Sequence, residues 1–404
     1  MSETVAARWR TTTAVIVAGC VITILVIGVR AGFGLFLEPI SSEFGWGREV
    51  FALSMAIQNL VWGLGQPFAG ALADRYGTAK VLTAGLLIYA AGLFLMADAG
   101  SPAMLHLSGG FLIGLGMSAS SFSIVLAAFG RLVPAERRTW AFGVGTAAGS
   151  LGQFLVVPMG QAFLQAYGWS TALVLLGFGI IAMIALAPVL RSRVASAATA
   201  RTQSIGDALR EAMGHRSFIY LTSGFFVCGF HVAFLAVHFP AMIVDAGLDA
   251  SLGAWALAVI GLFNVVGAYG SGVIGGRRSK KNLLCWIYAL RSVVFAVFIL
   301  LPITEISVLV FAAVMGLLWL STVPVTSGLV AQMFGLPHMA MLFGIVFLGH
   351  QLGSFLGIWL GGYLFDLTGS YDIVWWLSVV LGIVATLLHW PIDERPVARL
   401  AAAN

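Results

Sequence analysis

Five ionisable side chains stand in stretches otherwise almost free of charge: Arg30, His231, His238, Arg291 and His350. A guanidinium held away from water offers a planar fork that binds a carboxylate through two hydrogen bonds. An imidazole is the side chain best suited to carry a proton near neutral pH. Arg30 lies eight residues before Glu38, about 12 Å along a helix, and His238 follows His231 by seven residues, which puts both on one helical face. The amides Gln153, Asn264 and Gln351 are costly to bury without partners. We therefore expect Arg30, His231, Asn264, Gln153, His350 and Gln351 to line a site for a small solute. His231, His350 and His238 are the candidates for a coupling proton. The bland alternative applies to each: a buried His bonded within the core, or an amide bonded to its own helix backbone. For Arg291 the expectation is structural, pinning helices through their carbonyls.

Other chemistries find no support. There is no HExxH, GxSxG or GxxxxGK, and no pair of carboxylates inside the apolar stretches. Cys20, Cys228 and Cys285 form no CxxC and are expected to pack. The expectation is a protein that is not an enzyme and holds no metal or cofactor.

The elements that position these residues are apolar helices. Of 404 residues, 60% are hydrophobic and 9% charged, and the mean hydropathy is +0.99. Soluble domains need about 25% charged residues to face water, so this chain faces lipid. Runs of about 20 apolar residues cross a bilayer, and twelve are expected, at 12–37, 49–73, 79–98, 103–130, 138–165, 170–190, 217–244, 251–275, 282–301, 306–333, 339–365 and 373–391. The first is too long for a signal-peptide core and is expected to be retained.

Alternate connections between these runs carry very different charge. Arg8, Arg75, Lys80, Arg131, Arg191, Arg277, Arg278, Lys280, Lys281 and Arg395 fall on one side, and Arg48 stands alone on the other. Cations gather on the cytoplasmic side, so the expected location is the cell's inner membrane with both termini cytoplasmic. The net charge of +5 is then a signal of topology and not of nucleic-acid binding.

The chain reads as two six-helix units, 1–190 and 217–404, joined by a polar cytoplasmic linker, 191–216, in which Ser204 to Met213 has the pattern of a short amphipathic helix. The halves repeat at an offset of 201 residues. Gly28 to Phe33 and Pro39 correspond to Gly229 to Phe234 and Pro240; Phe142-Gly143, Gly152, Gly160 and Gly168 correspond to Phe343-Gly344, Gly353, Gly361 and Gly369. Arg30 and His231 are repeat partners. Duplicated halves are the mark of carriers that rock two bundles about a central site. The expected fold is an all-α membrane protein, twelve transmembrane helices in two pseudo-symmetric six-helix bundles.

Between the second and third runs lies Gly70-Ala-Leu-Ala-Asp74-Arg75-Tyr-Gly77-Thr-Ala-Lys80. It resembles the G-x-x-x-D-R-x-G-x-x-[RK] loop of the major facilitator superfamily. The resemblance implies that Gly70, Asp74, Arg75, Gly77 and Lys80 latch the cytoplasmic ends of the halves in one conformational state. Phe33-Gly34-Leu35-Phe36-Leu37-Glu38-Pro39, Arg137 to Gly143, and Gly349-His350-Gln351-Leu352-Gly353 through Asp366 to Asp372 are similar to the monocarboxylate transporter and oxalate–formate antiporter branch.

That resemblance implies secondary active transport of small organic anions by a functional monomer, with a proton or a counter-anion as the coupling species. It matches Arg30 to the first-helix Lys of animal monocarboxylate transporters. It also places Asn264 and Ala268 where those members carry an Asp and an Arg on the eighth helix. The alternative of a carrier or exporter for amino acids or other neutral or zwitterionic solutes stays open.

Overall fold

A computed structural model describes residues 11–191, 204–335 and 339–401, with side chains except at 74, 122, 127, 130, 135–140, 142, 205, 339, 340 and 401. The described residues form helices joined by short turns and contain no strand. In lipid every backbone N–H and C=O must be satisfied within its own segment, which an α-helix does.

Among the described residues, ten helical segments are long and apolar enough to cross a membrane. One of them, Gly143–Leu190, contains a non-helical residue at Gly168 (φ 77°) and turns there into two spans. The helix Arg48–Tyr76 is also of spanning length, but Gln58, Asn59 and Gln66 dilute its apolar run. Counting these two gives twelve spans: Thr12–Phe44, Arg48–Tyr76, Thr78–Ala97, 102–132, 135–167, 169–190, Arg216–Asp245, Ala250–Arg277, Lys280–Leu300, Glu305–Phe334, Met339–Thr368 and Asp372–His389. We refer to them as spans one to twelve.

Three spans are broken, where continuous helices were expected. Span one stops as α-helix at Ala31, passes through a 3-10 turn at Phe33–Phe36, and resumes at Leu37. Span four breaks at Ser121 (ψ 165°), and span ten breaks between Leu318 and Thr322. Positions 121 and 322 are 201 residues apart, so the last two breaks are repeat-related.

The repeated glycines now have a reason. A Cβ on Gly28 would lie 2.6 Å from the carbonyl oxygen of Gly152, and one on Gly152 would lie 2.2 Å from that of Ile24. In the second half a Cβ on Gly229 would meet the His350 oxygen at 1.8 Å, and one on Gly353 the Phe226 oxygen at 1.9 Å. Spans one and five, and spans seven and eleven, thus press backbone to backbone. Close approach of this kind holds helices together in lipid, where apolar burial gives no drive. Gly168 (φ 77°) and Gly369 (φ 70°) make the matching turns between spans five and six and between eleven and twelve. Those backbone angles are cheap only for glycine.

The halves meet along spans two and eleven, five and eight, and one and seven. Of the linker, 192–203 lies outside the described residues. Its end forms the helix Ile205–Met213, with Ser204 as N-cap accepting from the Asp207 N–H at 3.1 Å. Ala208 and Ala212 of this helix are buried, and Glu211 meets Arg399 at 3.4 Å, so the helix packs with the second half.

Candidate functional site

Arg30 is placed by the break in span one. It sits in the last turn before Gly32 and lines a small cavity with Phe33, Met55, Gln58, Asn59 and Ile358. The cavity, about 10 Å³, is room for about one water. No Asp or Glu lines it. Arg30 Nη2 donates to Asn59 Oδ1 at 2.7 Å, and its guanidinium carbon lies 5.1 Å from the ring centre of Trp62. Its Nε is buried without a partner. A half-buried cation with only a neutral acceptor and an aromatic face beside it keeps its positive potential.

Gln351 reaches this site from the other half. Its Nε2 donates to the Asn59 carbonyl oxygen at 2.8 Å. Its Oε1 accepts from His350 Nδ1 at 3.0 Å, which fixes that ring nitrogen as the protonated one. His350 lies between Phe347, stacked at 5.7 Å, and Phe225 at 4.9 Å. Gln351 also fills the space above Gly63, where a Cβ would lie 2.7 Å from its Cγ.

The repeat-related seam uses spans five and eight. Asn264 Nδ2 donates to Ser150 Oγ at 2.9 Å, and positions 264 and 150 are the repeat partners of Gly63 and Gln351. Asn264 Oδ1 accepts the Leu320 N–H, freed by the break in span ten, at 2.9 Å. Gln153 Nε2 donates to the Leu257 carbonyl at 2.7 Å. Both amides were expected at the solute site; the structure puts them in the seam between halves, apart from the residues lining the Arg30 cavity.

His231 was expected to line the solute site, and the structure places it outside the lining of the Arg30 cavity. It is fully buried, donates from Nε2 to the Ser378 carbonyl at 2.8 Å, and packs on Phe295 at 4.8 Å. Both of these contacts lie within the second half. His231 therefore points into the second half and away from Arg30. His238 donates from Nε2 to the Ile358 carbonyl at 2.8 Å, and its Nδ1 lies 3.3 Å from the Tyr371 hydroxyl. Ile358 is part of the cavity wall, so His238 touches the site through one backbone group.

Arg291 behaves as expected of a pinning residue. It is fully buried and donates to the carbonyls of Leu318 and Trp319, the two that the break in span ten would leave open.

Sequence reasoning missed the densest contact between the halves. Arg48 donates to both carboxylate oxygens of Asp245 at 2.6 Å and to the Tyr371 hydroxyl at 2.8 Å. Its guanidinium carbon lies 4.0 Å from the centre of the Phe365 ring. The Asp366 carboxylate accepts the N–H groups of Arg48 and Glu49, at 2.9 and 2.8 Å, at the start of span two, where the helix dipole favours an anion. Trp359 Nε1 donates to Glu49 Oε1 at 2.8 Å. Beneath this clasp Phe51, Ala52 and Met55 are at most 1% exposed, so the halves are shut at the Arg48 end. The signal was present: Arg48 is the lone cation on its side of the chain.

At the opposite end Gly77 (φ 92°) makes the turn from span two to span three, and Arg75 and Lys80 are exposed. A Cβ on Gly70 would meet nothing within 4 Å. The Asp74 side chain lies outside the described set.

Twelve apolar spans in repeated halves, shut at one end above a half-buried cation, are the build of an alternating-access carrier. The chain belongs to the Major Facilitator Superfamily, whose family model matches residues 19–324. Within it the chain is similar to monocarboxylate transporters, so it is a transporter and not an enzyme. It is 27% identical to monocarboxylate transporter 13 of Rattus norvegicus, over 91% of this chain and 86% of that one. It is 22% identical to the uncharacterised MFS-type transporter YcxA of Bacillus subtilis, over 92% of each. Its fold is shared with the crystal structures of a D-xylose-proton symporter (TM-score 0.77, 12% identity, 96% of this chain and 99% of that one) and of a bacterial homologue of the lysosomal transporter Spinster in an inward-facing, unoccupied conformation (TM-score 0.76, 15% identity, 94% and 96%).

Proposed function

We propose that the chain is a secondary carrier of small organic anions and that Arg30 anchors the substrate carboxylate. The observation that carries this reading is the cavity itself: a partly buried guanidinium with no acidic residue in the lining and a buried Nε still unpartnered. A cation inside a membrane is costly, at least about 2.5–3.5 kcal/mol, and is kept where it serves a path. A carboxylate entering beside Arg30 gains a charge-assisted hydrogen bond and relieves that cost. The similarity to monocarboxylate transporters supports the same substrate class.

In this reading the cation-rich end faces the cytoplasm of a cell whose inner membrane holds the protein, with both termini on that side. The working unit is the monomer, with the two halves as its rocking bodies. The structure then represents the state shut to the outside by the Arg48 clasp. The coupling species is a proton or a counter-anion. Among the histidines, His238 joins the clasp, through Tyr371, to the cavity wall at Ile358, and His350 joins the contact between halves through Gln351. A proton on His238 Nδ1 would turn that nitrogen from acceptor to donor toward the Tyr371 hydroxyl, which rocking must part from Arg48. His231 has no such link.

The test is uptake by purified protein in liposomes. The proposal expects labelled short monocarboxylates to enter, faster under an inward proton gradient or against a loaded counter-anion. Uptake confined to amino acids or neutral solutes would replace it with the neutral or zwitterionic carrier.

A further inference from the structure

Asn59, a polar residue inside an apolar span, is held by three hydrogen bonds. Its Nδ2 donates to the Met55 carbonyl one turn back at 2.8 Å. With the amide nitrogen committed there, Oδ1 is turned onto Arg30, 2.7 Å from Nη2. The main-chain oxygen of the same residue receives Gln351 from the second half. Asn59 is 3% exposed and lines the Arg30 cavity.

We propose that Asn59 is the positioning and specificity-determining residue of this site: a neutral placeholder for the substrate carboxylate, seated at the joint between halves. The inference rests on the assignment of Arg30 as the anion anchor. An amide oxygen presents the same acceptor geometry as one carboxylate oxygen, so it keeps the guanidinium aimed and partly satisfied while the site is empty. Being neutral, it leaves the charge of Arg30 uncancelled, and an anion displaces it because a carboxylate adds ion pairing and a second, parallel hydrogen bond that a single amide oxygen does not offer. A carboxylate at position 59 would do the opposite. It would pair with Arg30 permanently, and the site would lose its attraction for anions. The side chain that yields to the substrate belongs to the residue whose carbonyl Gln351 grips, so occupancy is felt directly at the seam that must open for transport.

The experiment compares Asn59→Asp, Asn59→Ala and Arg30→Gln in the full-length purified protein. Pyruvate, acetate and lactate serve as probes, and the readouts are thermal stabilisation and liposome uptake. Stabilisation reports binding to the folded state. Asn59→Asp is expected to lose the anion-induced shift, with at least a tenfold rise in the anion concentration needed. Asn59→Ala leaves Arg30 charged and should keep the shift, with KM raised about threefold to tenfold and kcat little changed. A purely structural Asn would instead make both variants fail alike, so equal losses in Asp and Ala overturn the proposal. Asn59→Asp responding to anions at wild-type concentration overturns it as well. If Asn59→Asp does not insert, Asn59→Ala decides: an unchanged KM, or loss of all anion response, rejects the placeholder. A wild type that no anion stabilises rejects the Arg30 assignment and this inference together. An anion response sensitive to Arg30→Gln, with both Asn59 variants behaving as wild type, rejects this inference alone.

Discussion

Removing the Arg48 guanidinium should unlatch the end of the protein at which it sits. Arg48→Ala deletes two hydrogen bonds to Asp245, one to Tyr371 and the contact over Phe365, all reaching from span two to the second half. A hydrogen bond to a charged group contributes about 1.5–3 kcal/mol when sheltered. The side chains of Arg48 and Asp245 are 12% and 35% exposed, so solvent screening draws the pair toward the ~1 kcal/mol of surface pairs. The cation–π contact adds about 0.5–1 kcal/mol. A net effect near 2 kcal/mol shifts the balance between shut and open states about 30-fold, since about 1.4 kcal/mol is a factor of ten. The Asp366 cap on the Arg48 and Glu49 amides survives the substitution, so the clasp weakens without vanishing.

The assay is labelling of Met55→Cys by a membrane-impermeant maleimide from the Arg48 side, with Cys20, Cys228 and Cys285 replaced. Met55 is 1% exposed and lines the Arg30 cavity, so only opening admits the reagent. The labelling rate should rise about 30-fold with Arg48→Ala and further when Asp366→Asn is added. Equal rates with and without Arg48 would show that the clasp does not hold this end shut.

Gly353→Ala drives a methyl to 1.9 Å from the Phe226 oxygen, and overpacking of this kind costs about 1–3 kcal/mol, so the melting temperature should fall. Gly160→Ala, with nothing within 4 Å of the new methyl, should leave it unchanged, and a common response of the two would refute the packing account. Arg291→Met strands two carbonyls at the break in span ten, about 1–3 kcal/mol each. It should lower the melting temperature while the anion concentration for half-maximal stabilisation stays at its wild-type value. A large change in that concentration would move Arg291 into the binding machinery. For Asn59, the expected separation is between Asp, which silences the anion response, and Ala, which only weakens it.

The spans were legible because lipid forces long apolar runs, and the sequence places their ends within a few residues of where the helices begin and stop, span one excepted. Its break was hidden because glycines serve both breaks and close packing; Gly32 and Gly34 look the same as Gly28 in sequence. The repeat was legible for the same residues that make it work, glycines whose Cβ would strike a carbonyl. The direction of a buried side chain was not legible. Arg30 and His231 occupy matched positions, yet Trp62 and Asn59 receive one while Ser378 and Phe295 receive the other, and helical spacing does not encode which neighbour has room. Asn264 and Gln153 were correctly read as residues needing partners, but the partners are backbone and serine groups across the seam. The Arg48 clasp joins residues 197 to 323 positions apart, a separation at which only tertiary structure brings charges together.

The central claim is that the positive charge of Arg30 draws an organic anion into the cavity between the halves. It is tested most directly by the melting temperature of purified wild type, Arg30→Lys and Arg30→Gln, titrated with short monocarboxylates and with their uncharged amides. The account predicts stabilisation of the wild type by the carboxylates and not by the amides. Arg30→Lys should respond weakly, having the charge without the planar fork, and Arg30→Gln should not respond although it folds. Carboxylate stabilisation of Arg30→Gln equal to that of the wild type would contradict the account.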